Sequence, residues 1–330
     1  MTSKRIFGIK FFMRRLHHIL KANQFPREIL EKIFREAEKI KKGKAPRVLE
    51  KKSITLLFWE PSSRTFGSFY EAIGRLGGRV IPIQNAGQFS SVAKGETLRD
   101  TIRTFAKYTN GIVMRHFKEG SAEKAARVLD EFEPQIPLIN AGDGKGEHPT
   151  QMLLDIFTIW EKKKEELKSG KLKVGFIGDL KNSRVFHSNL IALSIYKTNF
   201  FLMSEKENDI PEWIKKILKE RGSKFEKTSD PRKFAKDIDI WVWTRLQKER
   251  LKKGDLENIH KTYDEKFGLT PELKNLMKKN CLVLHPLPRI GEVPEDFDSD
   301  PRAIYFKDQI ENGLYVRMAL LKMIFGVNTQ

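Results

Sequence analysis

The stretch ITLLFWEPSSRTFGSFYEAIGRL, at residues 54–76, decides the fold class. It opens with a short β-branched and aromatic run, passes through a polar cluster that contains proline, and ends in a helical pattern. The same unit recurs along the chain, with predicted strands at residues 54–59, 79–83, 111–114, 136–139, 173–177, 199–203, 238–243 and 281–284. Strands that alternate with helices in this way predict an α/β fold built on parallel sheets.

The length of the chain predicts two domains. With 330 residues, it exceeds the usual size of a single hydrophobic core. The runs divide into two halves, so we expect two domains, each a parallel β-sheet of about four strands with helices on both faces, joined by interdomain helices. Residues 151–168 read as one long connecting helix, which Gly170 ends as a C-cap. The predicted boundaries are residues 1–150 and 151–308, with a C-terminal helix at 309–330 that packs back on the first domain.

The charge balance points to anionic partners. Lys and Arg number 62 against 43 Asp and Glu, and residues 1–52 alone hold 16 basic and 5 acidic side chains. Nucleic acid, an anionic membrane surface and small anions all remain open on charge alone, as does a merely solvated basic surface. No apolar run approaches the ~18–20 residues of a membrane span, so no segment is expected to cross a bilayer, and no membrane is among the predicted partners. The single Cys281 fits a reducing, cytoplasmic compartment, and no Cys/His cluster predicts a metal.

Polar clusters follow most of the predicted strands. In open α/β sheets, ligands bind beyond the carboxyl ends of the strands, so these clusters are the candidates for chemistry. They are EPSSRT at 60–65, RH at 115–116, NAGDGKGEHPTQ at 140–151, GDLKNSR at 178–184, TRLQKER at 244–250 and HPLPR at 285–289. Their repeated arginines, set among Ser, Thr, His and Gln, predict a clamp for anions across an interdomain cleft.

The first cluster has the chemistry of a phosphate site. Ser62, Ser63, Arg64 and Thr65 lie between a strand and a helix, where backbone N–H groups and the helix dipole favour an anion. Arg64 can add a bidentate contact that Lys cannot reproduce. Plain N-capping would also select Ser and Thr here. The sequence does not match the Walker A loop or the dinucleotide fingerprint.

Taken in order, these clusters and SSVAKGETLRDT at 90–101 resemble the aspartate carbamoyltransferase catalytic chain, over residues 18–326. SSRT and HPTQ are shared with ornithine carbamoyltransferases. Those enzymes carry Cys directly after the His of the late motif, whereas Pro286 follows His285 here, and TRLQKER belongs to the aspartate branch. Asn182 and Ser183 depart from the family pattern just before Arg184.

The resemblance implies transfer of the carbamoyl group of carbamoyl phosphate to the amine of L-aspartate, in pyrimidine synthesis. No metal or cofactor is implied, because basic side chains can hold both anionic substrates. The residues implied to bind carbamoyl phosphate are Ser62, Ser63, Arg64, Thr65, Arg115, His148 and Gln151, with the carbonyls of Pro286 and Leu287. Those implied to bind aspartate are Lys94, Arg184, Arg245 and Gln247. Arg64, Thr65, Lys94, Arg115 and His148 are the implied catalytic set.

The resemblance also implies an assembly. In the family, the loop holding Ser90 and Lys94 reaches the site of a neighbouring subunit, which makes a homotrimer with shared active sites. Separate regulatory chains remain an open partner. Glu60 and Arg250 are implied to form interdomain ion pairs that favour domain closure.

Three alternatives stay open at this point. A carbamoyltransferase for another amino acid, such as ornithine, would share the first-half motifs. A basic nucleic-acid-binding protein would use residues 1–52, although no recognition motif is present there. A non-catalytic scaffold paralogue is opposed by the complete set of site residues.

Overall fold

The computed structural model describes residues 17–89, 95–245, 263 and 265–326. The chain folds as two units. One ends at Leu153 and resumes at Asn312, and the other runs from Leu154 to Glu311. Both boundaries fall inside helices, so a single helix leads out of the first unit and another leads back into it.

The sheet of the first unit has four parallel strands in the order β2-β1-β3-β4. The strands are β1 (Ser53–Phe58), β2 (Arg79–Gln84), β3 (Gly111–His116) and β4 (Leu138–Asp143). The central strand β3 is buried at every position, as expected in a parallel sheet covered on both faces, and β4 at the end of the strand order is equally buried. Residues 18–20 lengthen the sheet beside β4, because Ile19 N donates to Leu138 O at 2.8 Å and Asn140 N donates to Ile19 O at 2.8 Å.

Six α-helices in the described residues up to Gly170 belong wholly or partly to this unit. They are α1 (Arg27–Lys41), α2 (Ser63–Arg75), α3 (Ala86–Phe89), α4 (Leu98–Ala106), α5 (Ser121–Phe132) and the start of α6 (Pro149–Lys168). Helix α1 buries Ile29, Leu30, Ile33, Phe34, Ala37 and Ile40, the one-sided spacing of a helix that packs on a core. Gly170, with φ of +71°, ends α6 as the sequence predicts. The helix is kinked at Lys163, where φ is −137°.

The sheet of the second unit has five parallel strands in the order β7-β6-β5-β8-β9. The strands are β5 (Lys173–Ile177), β6 (Asn199–Met203), β7 (Phe225–Thr228), β8 (Ile240–Trp243) and β9 (Leu282–Leu284). The helices are α7 (Arg184–Ser194), α8 (Glu212–Glu220), α9 (Pro271–Leu276) and α10 (Ile310–Phe325), whose larger part belongs to the first unit. A buried cluster that includes Trp241, Trp243 and Phe267 packs under one face of this sheet.

The predicted fold class is confirmed: both sheets are parallel and the chain alternates strands with helices. The prediction missed strand β7. That strand reads FEKT, and its two central side chains are exposed, because it lies at the edge of the sheet and lacks the apolar run of a central strand. In the described part of the chain, no helix has both the length and the hydropathy needed to cross a bilayer.

Candidate functional site

The ends of strands β1, β3 and β4 lie at one edge of the first sheet. Phe58, the last residue of β1, is in register with Arg115 of β3, and His116 of β3 is in register with Asp143 of β4. Because the three strands are parallel and adjacent, their last residues and the residues that follow them share the carboxyl edge. The structure therefore brings together the clusters at 60–65, 115–116 and 140–151.

Ser62 is the N-cap of helix α2, and Ser63, Arg64 and Thr65 form its first turn. The Ser62 side chain accepts no hydrogen bond from the helix backbone, so it does not act as an ordinary capping group. Ser63 and Arg64 are exposed, whereas Thr65 is buried. The arrangement leaves hydroxyls and N–H groups together at the positive end of a helix, where an anion is favoured.

Arg64 extends from this turn as a partly desolvated cation. Desolvation lowers the pKa of its guanidinium, although the residue keeps an exposed surface. An arginine remains charged at neutral pH under such a shift. A cation beside free N–H groups can bind a phosphate dianion through charge-assisted hydrogen bonds.

Arg115 is a buried cation at the same edge, only 8% exposed. One guanidinium nitrogen, Nη1, donates to Ala141 O at 3.1 Å, and Nη2 lies 3.2 Å from the Glu60 carboxylate. A buried charge is stable only when it is paired and hydrogen-bonded, and these contacts meet that need. The Glu60 carboxylate thus pairs within its own unit, and its implied part in domain closure stays a prediction.

His148 immediately precedes helix α6 and is 4% exposed. Its carbonyl accepts hydrogen bonds from Gln151 N at 3.0 Å and Met152 N at 3.1 Å, which fixes the start of the helix. The Nδ1 atom lies 3.4 Å from Thr150 Oγ1, a long separation for a hydrogen bond. Gln151 is half-buried in the first turn of the same helix.

The loop before His148 is held by polar residues that the sequence analysis did not single out. The Glu147 carboxylate accepts a hydrogen bond from Ala22 N at 2.7 Å, and Asn140 Nδ2 donates to Glu147 O at 3.3 Å. Asp143 accepts from Gly120 N and Ser121 N, at the start of helix α5. Burial raises the pKa of Asp143 in spite of these bonds. These contacts join the loop to distant parts of the chain, which local motifs do not reveal.

In the second unit, Arg184 is the first residue of helix α7 and is 8% exposed. Ser183 is the N-cap, and its hydroxyl accepts a hydrogen bond from Phe186 N at 3.3 Å. Asn182 donates through N and Nδ2 to Asp179 Oδ1, at 3.1 Å and 3.0 Å. The two residues that depart from the family pattern therefore form a capped turn that carries Arg184.

Arg245 follows strand β8 beside the end of β5. Thr244 N donates to Ile177 O at 3.1 Å, which continues the strand pairing as far as the residue before Arg245. Gly178 permits this approach, because a Cβ at that position would meet Thr244 O at 2.4 Å. Strands β5, β8 and β9 are neighbours in the sheet. The segments that follow them, which carry Arg184, Arg245 and residues 286–287, therefore leave the sheet side by side.

Pro286 and Leu287 are half-buried at the end of β9. Leu287 has φ of +52°, in the left-handed region that residues with a side chain rarely adopt, and the Leu287–Pro288 bond is cis. The remaining predicted site residues, Ser90, Lys94, Gln247 and Arg250, lie outside the described residues.

No group of three or more His, Cys, Asp or Glu side chains within residues 17–89, 95–245, 263 and 265–326 is arranged to hold a metal ion. The polar residues at the two strand edges are instead mainly cations, hydroxyls and amides, which are ligands for anions.

Comparison with known proteins agrees with this chemistry. Residues 17–161 match the aspartate/ornithine carbamoyltransferase carbamoyl-P binding domain, and residues 170–324 match the Asp/Orn binding domain of the same family. The chain is 41% identical over 322 residues to aspartate carbamoyltransferase 2, chloroplastic, of Pisum sativum, covering 96% of this chain and 80% of that protein. It is 40% identical over 320 residues to the aspartate carbamoyltransferase catalytic subunit of Methanothrix thermoacetophila, covering 94% of this chain and 99% of that protein.

Solved structures give the same result. Aspartate transcarbamoylase from Trypanosoma cruzi in complex with N-(phosphonacetyl)-L-aspartic acid superposes with a TM-score of 0.81 at 34% identity, covering 93% of this chain and 95% of the other. The catalytic subunit of M. jannaschii aspartate transcarbamoylase gives a TM-score of 0.83 at 37% identity, covering 95% and 99%. With both family models and these relatives in agreement, the chain belongs to the aspartate/ornithine carbamoyltransferase family, on its aspartate carbamoyltransferase branch.

Proposed function

We propose that this chain catalyses transfer of the carbamoyl group from carbamoyl phosphate to the amine of L-aspartate, giving N-carbamoyl-L-aspartate and phosphate in pyrimidine biosynthesis. The amine nitrogen forms a bond to the carbonyl carbon, and the bond from that carbon to the phosphate oxygen breaks. The leaving phosphate takes up the proton that the amine releases. The substrate amine is the nucleophile, so positioning and charge stabilisation supply the catalysis.

The observation that carries the proposal is the edge of the first sheet. It sets the hydroxyls and N–H groups at residues 62–65 beside the buried guanidinium of Arg115. In the proposal, Ser62, Ser63, Arg64 and Thr65 bind the phosphate of carbamoyl phosphate. The first unit is thus the carbamoyl phosphate-binding domain and the second the aspartate-binding domain.

Thr65, Arg115 and His148 are proposed to stabilise the oxygen of the carbamoyl carbonyl, which becomes negative in the tetrahedral transition state. All three are buried, and a donor in a site of low polarity stabilises a developing charge more strongly than a donor in water. Gln151 and the carbonyls of Pro286 and Leu287 complete the proposed contacts, because the carbamoyl NH2 group needs hydrogen-bond acceptors.

The acceptor amine comes from aspartate, which brings two carboxylates. Arg184 and Arg245 are proposed to bind these carboxylates, together with Gln247. Arg184 leads helix α7, where the helix dipole reinforces its attraction for an anion. Two arginines and an amide favour a dicarboxylate over an amino acid that ends in an ammonium group.

The proposed assembly is a homotrimer in which Ser90 and Lys94 complete the site of the neighbouring subunit, and separate regulatory chains are a further partner to test.

The proposed compartment is the cytoplasm. Cys281 is buried, and burial raises the pKa of its thiol to about 11, so little of this thiol is ionised at neutral pH. Cell fractionation with a cytoplasmic marker tests the location.

Acceptor choice tests the function. The purified protein, given carbamoyl phosphate, should carbamoylate L-aspartate and show at least about 100-fold lower kcat/KM with L-ornithine, because an ammonium group would face the arginines. Quantifying both carbamoyl products by mass spectrometry makes the comparison in one reaction. Equal turnover of the two amines, or turnover of neither, would contradict the proposal.

A further inference from the structure

A buried hydrogen-bond chain lies behind the Pro286–Leu287 backbone. His285 is 2% exposed and Glu292 is 1% exposed. Leu287 N donates to His285 Nδ1 at 2.8 Å, and His285 Nε2 lies 2.7 Å from Glu292 Oε1. None of the motifs read from the sequence assigned a role to either side chain.

The backbone donor determines the tautomer of the imidazole. Leu287 N–H can only donate, so His285 Nδ1 must be the unprotonated acceptor. The ring proton is therefore on Nε2, where it is donated to the Glu292 carboxylate. If Nδ1 also carried a proton, two N–H donors, Nδ1–H and Leu287 N–H, would face each other. The hydrogen bond of Leu287 N–H would then be lost.

Glu292 also fixes the far side of the loop. Its second oxygen, Oε2, accepts a hydrogen bond from Ile290 N at 3.0 Å, so one carboxylate ties residue 285 to residue 290. Burial acts to raise the pKa of Glu292, but the hydrogen bond from His285 and the backbone donors outweigh it, and the pKa lies below its usual value. The carboxylate is thus ionised at neutral pH.

The start of the loop is held by a second buried chain. His285 N donates to Gln309 Oε1 at 2.9 Å, and Gln309 Nε2 donates to Asp155 Oδ1 at 2.7 Å. Burying so many polar groups is costly, and apolar residues of similar size usually stabilise a core as well or better. Stability alone therefore does not explain these groups, and what they share is that they hold the backbone of residues 285–290.

Planarity of the peptide bond connects His285 to one of the proposed substrate contacts. Leu287 N–H and Pro286 C=O belong to the same trans peptide unit, so they point in opposite directions. Holding Leu287 N–H against the buried imidazole aims Pro286 C=O away from it. The left-handed φ of Leu287, which is disfavoured for a residue with a side chain, then sets the direction of the next carbonyl.

We propose that His285 and Glu292 are positioning residues that aim the main-chain carbonyls of Pro286 and Leu287 at the NH2 group of the carbamoyl donor. This inference rests on the proposed function. It makes the pair responsible for selecting an amide donor: a carbamoyl group has two N–H donors for these carbonyls, whereas an acetyl group of nearly the same size has none.

The test compares three ligands that share the phosphate: carbamoyl phosphate, acetyl phosphate and inorganic phosphate. For the wild type and each variant, one measures KM for carbamoyl phosphate at saturating L-aspartate, and the inhibition constants of the other two. The Glu292 carboxylate accepts hydrogen bonds from both His285 Nε2 and Ile290 N. The amide of Glu292→Gln has only one oxygen that can accept, so one of these contacts is lost. KM for carbamoyl phosphate should rise roughly tenfold, while both inhibition constants stay within about twofold.

Two substitutions of His285 sharpen the test. Asn can present a side-chain oxygen near the position of Nδ1, so His285→Asn should keep the Leu287 N–H acceptor and much of the selectivity for carbamoyl phosphate. His285→Ala removes the acceptor and should lose that selectivity. Asp298→Asn is the matched control, because it breaks the Arg289–Asp298 ion pair of the same segment without touching the carbonyls. It should leave all three constants unchanged.

Each outcome either supports or overturns the positioning role of His285 and Glu292. A selective rise in KM for carbamoyl phosphate, restored in part by Asn at 285, supports the inference. Constants that all stay unchanged, or that rise by the same factor for the three ligands, overturn it. If the Ala variant fails to fold, Glu292→Gln carries the decision. A wild type that does not carbamoylate aspartate refutes the proposed function, which is a separate result from unselective variants of an active enzyme.

Discussion

His148 combines burial with a position at the start of a helix, and these features alone suit a structural residue as well as a catalytic one. The structural and the catalytic role differ in the quantity that a substitution would change. A donor to the carbamoyl oxygen acts mainly in the transition state, so its loss lowers kcat, whereas a structural histidine affects only the folded fraction.

We expect His148→Ala to lower kcat by ~10²–10³ while the inhibition constant of phosphate changes little. Steady-state kinetics and thermal melting of the same preparation measure both. His18→Ala is the matched control, because His18 is a buried histidine of the same unit that bonds Asp130 and Leu138 N. It should lower the melting temperature and keep kcat. If His148→Ala keeps a normal kcat and only lowers the melting temperature, His148 has a structural role and not a catalytic one.

Two arginines on helix α2 offer a second comparison at the scale of single residues. Arg64 is in the first turn, beside the proposed phosphate, and Arg75 is the last residue of the same helix, ion-paired with Glu71 at 2.7 Å. Arg64→Ala should raise the inhibition constant of phosphate by ~10-fold to 100-fold, since a hydrogen bond to a charged group is worth about 1.5–3 kcal/mol. Arg75→Ala should leave it unchanged. Similar effects of the two variants would mean that net charge, and not contact, governs phosphate binding.

The turn before helix α7 caps the helix and also carries Arg184. The Ser183 hydroxyl accepts from Phe186 N, and Asn182 bonds Asp179. Helix α9 in the same unit has an equivalent cap, where Thr270 accepts from Leu273 N at 3.2 Å. The two caps make a matched pair in which only one adjoins a proposed substrate contact.

Ser183→Ala and Thr270→Ala should each cost about 1 kcal/mol of stability, the usual loss for a missing N-cap. Only Ser183→Ala should also raise KM for L-aspartate, by a few-fold, because loosening the first turn of α7 frees Arg184. Denaturant unfolding and aspartate titrations measure the two effects. An equal change in KM for both variants, or a change for neither, would show that the Ser183 cap does not position Arg184.

The strands differ in how clearly their residues predict them. Central strands such as β3 and β5 were predictable, because burial on both faces demands a continuous apolar run. Edge strand β7 was not, since exposed Glu226 and Lys227 occupy its centre. The motifs located the proposed site residues at strand ends, but they could not reveal Glu147 or Glu292, whose partners are set by the tertiary fold.

The two units of the chain are built on the same principle. Each is a parallel sheet with cationic residues at or beyond the carboxyl ends of its strands: Arg64 and Arg115 in the first, Arg184 and Arg245 in the second. A reaction between two anions needs this arrangement, since carbamoyl phosphate and aspartate repel each other in water. The net charge of +19 adds a long-range attraction for both substrates, which weakens as salt is added.

In the proposed homotrimer, each active site is shared between two subunits. Lys94 and Ser90 belong to the sequence motif SSVAKGETLRDT at 90–101, and in the proposed trimer each site takes these two residues from its neighbour. Mixing Lys94→Ala with His148→Ala chains under subunit exchange should therefore restore activity to two inactive parents. In a closed ring of three, every hybrid trimer has one site that combines an intact Lys94 with an intact His148, so equal mixing should restore about one quarter of wild-type sites. Mass spectrometry of differently tagged chains verifies the exchange, and turnover measures recovery. Exchange without recovery would mean that the loop serves its own chain or that the ring does not form.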